Sequence, residues 1–128
     1  MTLQQITALE EIEIKVKADH FDIAELISFL TSLDYTKDLD LVLDHAFVLR
    51  EINHLLTFLG KKIKPHKRPK SIRLKYFQVV PLQIVVEALG NSKGYYHSHY
   101  PQFFSLYHRI MQNFPRPQVQ AILEDLNQ

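Results

Sequence analysis

The chain has 128 residues, 46% of them hydrophobic, the range of a single domain that buries roughly two-thirds of the surface its unfolded chain exposes. It contains no cysteine, which excludes disulfides, a disulfide-linked partner, thiolate metal sites and cysteine nucleophiles, and fits a cytoplasmic setting. The net charge of +1 hides a polarity: residues 1–60 hold eleven acids against four Lys and Arg, and residues 61–128 hold three against eleven.

No stretch approaches the ~20 apolar residues of a membrane span, and Met1 to Leu9 lacks the basic start and long apolar run of an export signal, so neither is expected. Glu11 to Ala18 alternates strictly, with Ile12, Ile14, Val16 and Ala18 on one side and charged residues on the other, which predicts a strand with one buried face. Asp22 is the expected N-cap of a following helix, with Glu25 completing a capping box and Phe21 stapling onto Leu26. Ile23, Leu26, Ile27, Leu30 and Leu33 form its apolar stripe.

A longer helix is expected from Asp38 to Leu59, stopped by Gly60 at C′, with Lys61 and Lys62 complementing its dipole. Its polar stripe of Asp40, Asp44, Glu51 and His54 is interrupted by Phe47 and continued by Phe58, so its apolar face is broad. Such a helix is either central or touches a partner, and two intramolecular neighbours suffice to cover it. Lys61 to Lys70, with two prolines and no periodicity, reads as a loop, and Ser71 to Val80 as a second strand.

For residues 82–89 two patterns compete: Leu82, Val85, Val86 and Leu89 fit a helical face, whereas the Ile84-Val85-Val86 run favours a strand. The strand is the reading adopted, with Pro81 at a bend or on an edge. Gly90 to Gly94 reads as a turn, Pro101 as the start of a helix presenting Phe103, Leu106, Tyr107, Ile110 and Phe114, and Val119, Ile122, Leu123 and Leu126 as a terminal helix. The expected fold is therefore one α+β domain over residues 1–128, with a sheet of about three strands and four helices, two of them C-terminal.

Chemistry-bearing residues fall in three groups. Lys61, Lys62, Lys64, Lys67, Arg68, Lys70, Arg73 and Lys75 make a basic strip suited to polyanions, although a solvated connection has the same composition. His97 and His99 point the same way in an extended segment, so with His108 they are candidate zinc ligands; histidines hydrogen-bonded beside tyrosines are the ordinary alternative. Asp34, Asp38, Asp40 and Asp44 suit a helix entry and a solvated face better than a catalytic constellation. No phosphate-cradling glycine loop, G-x-S-x-G elbow or H-E-x-x-H is present, so catalysis has little support, and no cofactor is expected.

The order of strand, capped helix, long helix, basic loop, then Ile72 to Tyr76 followed by Pro81-Leu82-Gln83-Ile84-Val85, resembles small bacterial effector-associated modules of conflict and signalling systems. The resemblance covers residues 10–90, with Val79-Val80-Pro81 where those modules tend to show Gly-Ser-Pro. It implies an adaptor that recruits partners, with a strand on each side of the proline.

The leading expectation is a non-catalytic protein-interaction module, binding another protein or itself through Phe47, Glu51, His54 and Phe58. The alternative is a nucleic-acid-binding regulator using the basic strip. A metal-dependent enzyme built on His97, His99 and His108 is the third reading.

Overall fold

The computed structural model describes residues 1–35, 45–63, 70–92 and 100–124. Among them are six helices and two strands in the order α1 (Leu3–Glu10), β1 (Glu13–Ala18), α2 (His20–Ser32), α3 (His45–Lys62), β2 (Lys70–Lys75), α4 (Tyr76–Ser92), α5 (Tyr100–Gln112) and α6 (Arg116–Glu124). The class is α+β. In place of about three strands and four helices, the described residues hold two strands and six helices: α1 was not expected, and the third strand is replaced by α4.

The period-two alternation does form a strand, but β1 begins at Glu13, two residues later than expected, because Glu11 caps α1 in a helical conformation. Ile14, Val16 and Ala18 are buried and Glu13, Lys15 and Lys17 exposed. β1 pairs antiparallel with β2 from Glu13 opposite Lys75 to Ala18 opposite Lys70, so Ile14 meets Leu74 and Val16 meets Ile72 on the buried face. α2 and α5 pack on β1, and α4 packs on β2. One side chain of α5 and one just beyond it also reach the strand backbone: Arg109 donates to the Lys17 carbonyl at 2.9 Å, and Asn113 donates to the Lys15 carbonyl at 2.8 Å.

α2 starts three residues earlier than expected. Asp19 is the N-cap: its carboxylate accepts from the Asp22 N–H at 2.8 Å, and the Asp22 carboxylate accepts from the Asp19 N–H at 3.0 Å. That donation from the Asp22 backbone holds the Asp19 carboxyl below its ordinary range. Phe21, now inside the helix, is 73% exposed, so the expected staple onto Leu26 does not form.

α3 runs through Gly60 to Lys62, and the Ile63 N–H donates to the Leu59 carbonyl at 3.2 Å. Gly60 is therefore a helical residue and not the stop, while Lys61 and Lys62 do occupy the last turn. Val48, Ile52, Leu55 and Leu59 form the buried stripe of α3, covered by α2 and α4. Residues 36–44, including Asp38, Asp40 and Asp44, lie outside the described residues.

The largest correction concerns residues 76–92. Where strands flanking Pro81 were expected, β2 passes directly into α4, and Gln78 Oε1 accepts from the Lys75 N–H at 2.7 Å, one half of a capping box. Pro81 sits inside this helix and removes the bond its N–H would have made to the Phe77 carbonyl, a cost of ~3 kcal/mol. Val79, Leu82, Val85, Val86 and Leu89 are buried along one face, each worth ~1.5–3 kcal/mol, which outweighs both the proline and the local β preference of Ile84-Val85-Val86. Gly90 lies within the helix, not in a turn.

Six elements contribute the largest fully buried side chains: Leu9 from α1, Ile14 from β1, Leu26 and Leu30 from α2, Ile52, Leu55 and Leu59 from α3, Leu74 from β2, and Leu82 and Leu89 from α4. Ile110 of α5 and Val119 of α6 join the same core. Among the described residues, no helix is long and apolar enough to cross a membrane.

Candidate interaction surfaces

α1 owes its position to a capping box and a tether. Thr2 Oγ1 accepts from the Gln5 N–H at 3.2 Å, and Gln5 Oε1 accepts from the Thr2 N–H at 2.7 Å. The Gln5 amide then donates to the Ile122 carbonyl of α6 at 3.0 Å, and Leu9 enters the core. α1 is thereby held against α4 and α6.

This placement makes one wall of a groove of about 380 Å³. Met1, Ile6 and Glu10 line it from α1 and the residues before it, Phe47 and Glu51 from α3, and Phe77, Val80, Pro81 and Ile84 from α4. Ile6 and Glu10, and likewise Phe47 and Glu51, are i, i+4 pairs, and Phe77, Val80, Pro81 and Ile84 recur at three, four and seven, so each helix presents one continuous face. Met1 is 62% exposed, Phe47 53% and Ile84 37%. Among the described residues, three of the five exposed large hydrophobic side chains therefore border a single groove.

Among the described residues, the charged side chains of this lining are two carboxylates, Glu10 and Glu51. Arg50 reaches over the Phe47 ring at 5.6 Å and lies 3.3 Å from Glu51 Oε1, while His54 Nδ1 is 3.8 Å from the same oxygen. Of the four residues expected to bind a partner, Phe47 and Glu51 line the groove and His54 stands exposed beside Glu51. Phe58 is half-buried against the core, with the Lys62 ammonium 5.3 Å from its ring centroid. The remaining lining residues escaped the sequence reading because Phe77, Val80, Pro81 and Ile84 belong to the segment read as strands. Ile84 could have been found by carrying the helical alternative through, since it falls off the Leu82, Val85, Val86 and Leu89 face.

The basic strip does not form one unit. Lys61 and Lys62 end α3, Lys64, Lys67 and Arg68 lie outside the described residues, and Lys70, Arg73 and Lys75 lie on β2. Arg73 and Lys75 share the exposed sheet face, where both approach Glu13 across the strands: Lys75 Nζ is 3.1 Å from Oε1, and Arg73 Nη1 is 3.9 Å from Oε2. The hydrogen bond and charge of Lys75, with Arg73 adding less, hold the Glu13 carboxyl below its usual range. Lys15 and Lys17, which the sequence reading did not single out, stand on the same face. Beside them a cleft of about 450 Å³ opens between the sheet and α5, lined by Lys15, Val16, Lys17, Ser71, Arg109, Gln112 and Asn113.

His97 and His99 lie outside the described residues, and His108 is exposed on α5. No group of three His, Asp or Glu side chains placed to hold a metal occurs among the described residues. Comparison with protein-family models, with curated proteins and with solved structures finds no match. The strand that the resemblance implied after Pro81 is helix α4.

Proposed function

We propose that this chain is a non-catalytic protein-interaction module whose docking surface is the groove between α1, α3 and α4. The observation that carries the reading is the concentration of exposed Met1, Phe47 and Ile84 around one apolar groove. Contiguous exposed apolar surface of this kind marks docking sites more often than isolated hydrophobic residues do. The occupant proposed is an amphipathic helix of a partner protein, with its apolar stripe in the groove and Lys or Arg residues opposite Glu10 and Glu51. The likeness to adaptor modules and a cytoplasmic setting belong to the same reading.

The test uses a fluorescently labelled amphipathic Leu/Lys peptide and its Leu/Glu counterpart, titrated with wild type and with Phe47→Asp. Phe47 is exposed, so the substitution leaves thermal stability nearly unchanged while placing a charge in the groove. The Leu/Lys peptide is expected to bind, the Leu/Glu peptide to bind at least tenfold more weakly, and F47D to cost about tenfold or more, as a central apolar anchor does. Sedimentation run in parallel detects self-association; a dimer lost in F47D keeps the groove as the docking surface with a second copy as occupant. Binding of either kind that F47D leaves untouched removes the groove from the function.

A further inference from the structure

We infer that the open face of the sheet and the cleft beside α5 form a binding site for the phosphate backbone of a nucleic acid. The inference does not rest on the groove, which involves other elements.

The antiparallel register assembles the face. Lys15 lies opposite Arg73, Lys17 opposite Ser71, and Glu13 opposite Lys75, and all six side chains are exposed. Alternate residues of a strand share a side, so Lys15, Lys17, Arg73 and Lys75 form two adjacent rows of positive charge. Among the described residues, Glu13 engages the Arg73 and Lys75 end. Lys15 and Lys17 have no carboxylate partner among the described residues, and two steps of strand separate them by ~6.7 Å. That is close to the interval between successive phosphates on an extended strand.

On the far side of β1, Arg109 lines the wall of the cleft with its charge already paired. It is fixed by donation to the Lys17 carbonyl at 2.9 Å and by an ion pair with Asp22 at 2.9 Å. Ser71, Gln112 and Asn113 add uncharged hydrogen-bonding groups to the cleft wall.

This layout selects among anions. The charges lie in rows along the ribbon and do not converge on one point, which suits a chain of phosphates better than a small phosphorylated molecule. Among the described residues, Val16 is the one apolar residue in the cleft lining and is buried, so they offer no side chain to insert into a lipid surface. Phosphate contacts position a protein without reading bases, and among the described residues no exposed aromatic side chain lines this cleft to stack on them. The binding inferred is therefore strongly salt-dependent and tolerant of sequence.

The experiment is an anisotropy titration of labelled 20-mers, as duplex DNA, single-stranded DNA and RNA, at 50 and 200 mM salt. Vesicles containing phosphatidylserine are tested in parallel. Three to four phosphate contacts predict a logarithmic salt slope near −3 on duplex DNA and a roughly 40- to 150-fold loss of affinity between the two salts. Lys15→Gln with Lys17→Gln lowers that slope by about 1.8, and Arg73→Gln alone by about 0.9. All three side chains are exposed, and melting temperatures confirm that each variant folds. Lys61→Gln with Lys62→Gln, at the end of α3, retains the wild-type slope.

A failure of all three nucleic acids to bind at 50 mM salt overturns the inference, as does vesicle binding alone. Equal losses in the Lys15/Lys17 and Lys61/Lys62 variants also overturn it, since they would reflect overall charge and not this face.

Discussion

Gly60 offers a prediction whose sign separates two structures of the same segment. In α3 it lies two residues before the last helical residue, its φ falls outside the left-handed region, and a Cβ built there meets nothing within 4 Å. Glycine in a helix interior is less favourable than alanine by ~0.8–1 kcal/mol, largely through the freedom it adds to the unfolded chain. Near the helix end part of that difference is lost to fraying, so Gly60→Ala is expected to stabilise the protein by about 0.5–1 kcal/mol. An unfolding entropy of ~2.1 cal/mol/K per residue amounts to about 0.27 kcal/mol/K for this chain. The melting temperature should therefore rise by about 2–4 °C.

Circular dichroism at 222 nm reads the thermal transition. A urea titration should show a higher midpoint with an unchanged slope. Were Gly60 a C′ residue in the left-handed conformation, as its position before Lys61-Lys62 suggests, the new Cβ would instead cost ~1 kcal/mol or more. A fall in melting temperature, or no rise, refutes the helical placement.

Two further predictions concern pH. Burial pushes the Tyr35 phenol up to about 12, and its hydroxyl donates to the Leu30 carbonyl at 2.6 Å. Because the folded value exceeds the unfolded one, this contribution is complete below pH ~10 and is lost as pH rises towards 12. Tyr35→Phe should cost about 0.5–1.5 kcal/mol at neutral pH through the lost hydrogen bond and flatten the alkaline fall in melting temperature; an unchanged alkaline limb counts against it. At the acid end, Asp19 has a depressed pKa, so its contribution is present above the unfolded value of ~3.9 and disappears as pH falls through the folded one. Asp19→Asn keeps an N-cap acceptor that does not titrate, so the acid fall should become shallower, Glu13 still titrating in the same window. Superimposable acid profiles for the two proteins would contradict the capping role.

What could be read before the structure depended on how many elements a pattern needs. β1 was legible because a strict alternation over Ile12 to Ala18 serves only one geometry. The start of α2 was ambiguous, since Asp19-x-x-Asp22 and Asp22-x-x-Glu25 both have capping-box spacing, and the choice between them depends on where β1 ends. Thr2-x-x-Gln5 carried the same signal for α1, in a stretch weighed only as an export signal.

α4 was misread for a physical reason. Ile72, Leu74 and Tyr76 continue the strand period into the helix, and Pro81 with Ile84-Val85-Val86 argues locally against a helix. Burial of five residues on one face decides the outcome, and that is a tertiary quantity. The surfaces were only partly legible for a related reason. Phe47 and Glu51 are visible on one helix, but their groove needs α1 and α4 beside them. The basic strip is continuous in sequence, whereas the charged sheet face joins Lys15 and Lys17 to Arg73 and Lys75 only once the register is known.

The donations of Arg109 and Asn113 to the Lys17 and Lys15 carbonyls have a consequence for assembly. A two-stranded ribbon ordinarily leaves edge acceptors ready for another chain, the route to strand addition and to edge-to-edge aggregation. A newcomer at β1 would need those two carbonyls, and side chains anchored at the end of α5 already occupy them. The helix closes that side of the ribbon, so a strand could add there only by displacing both side chains.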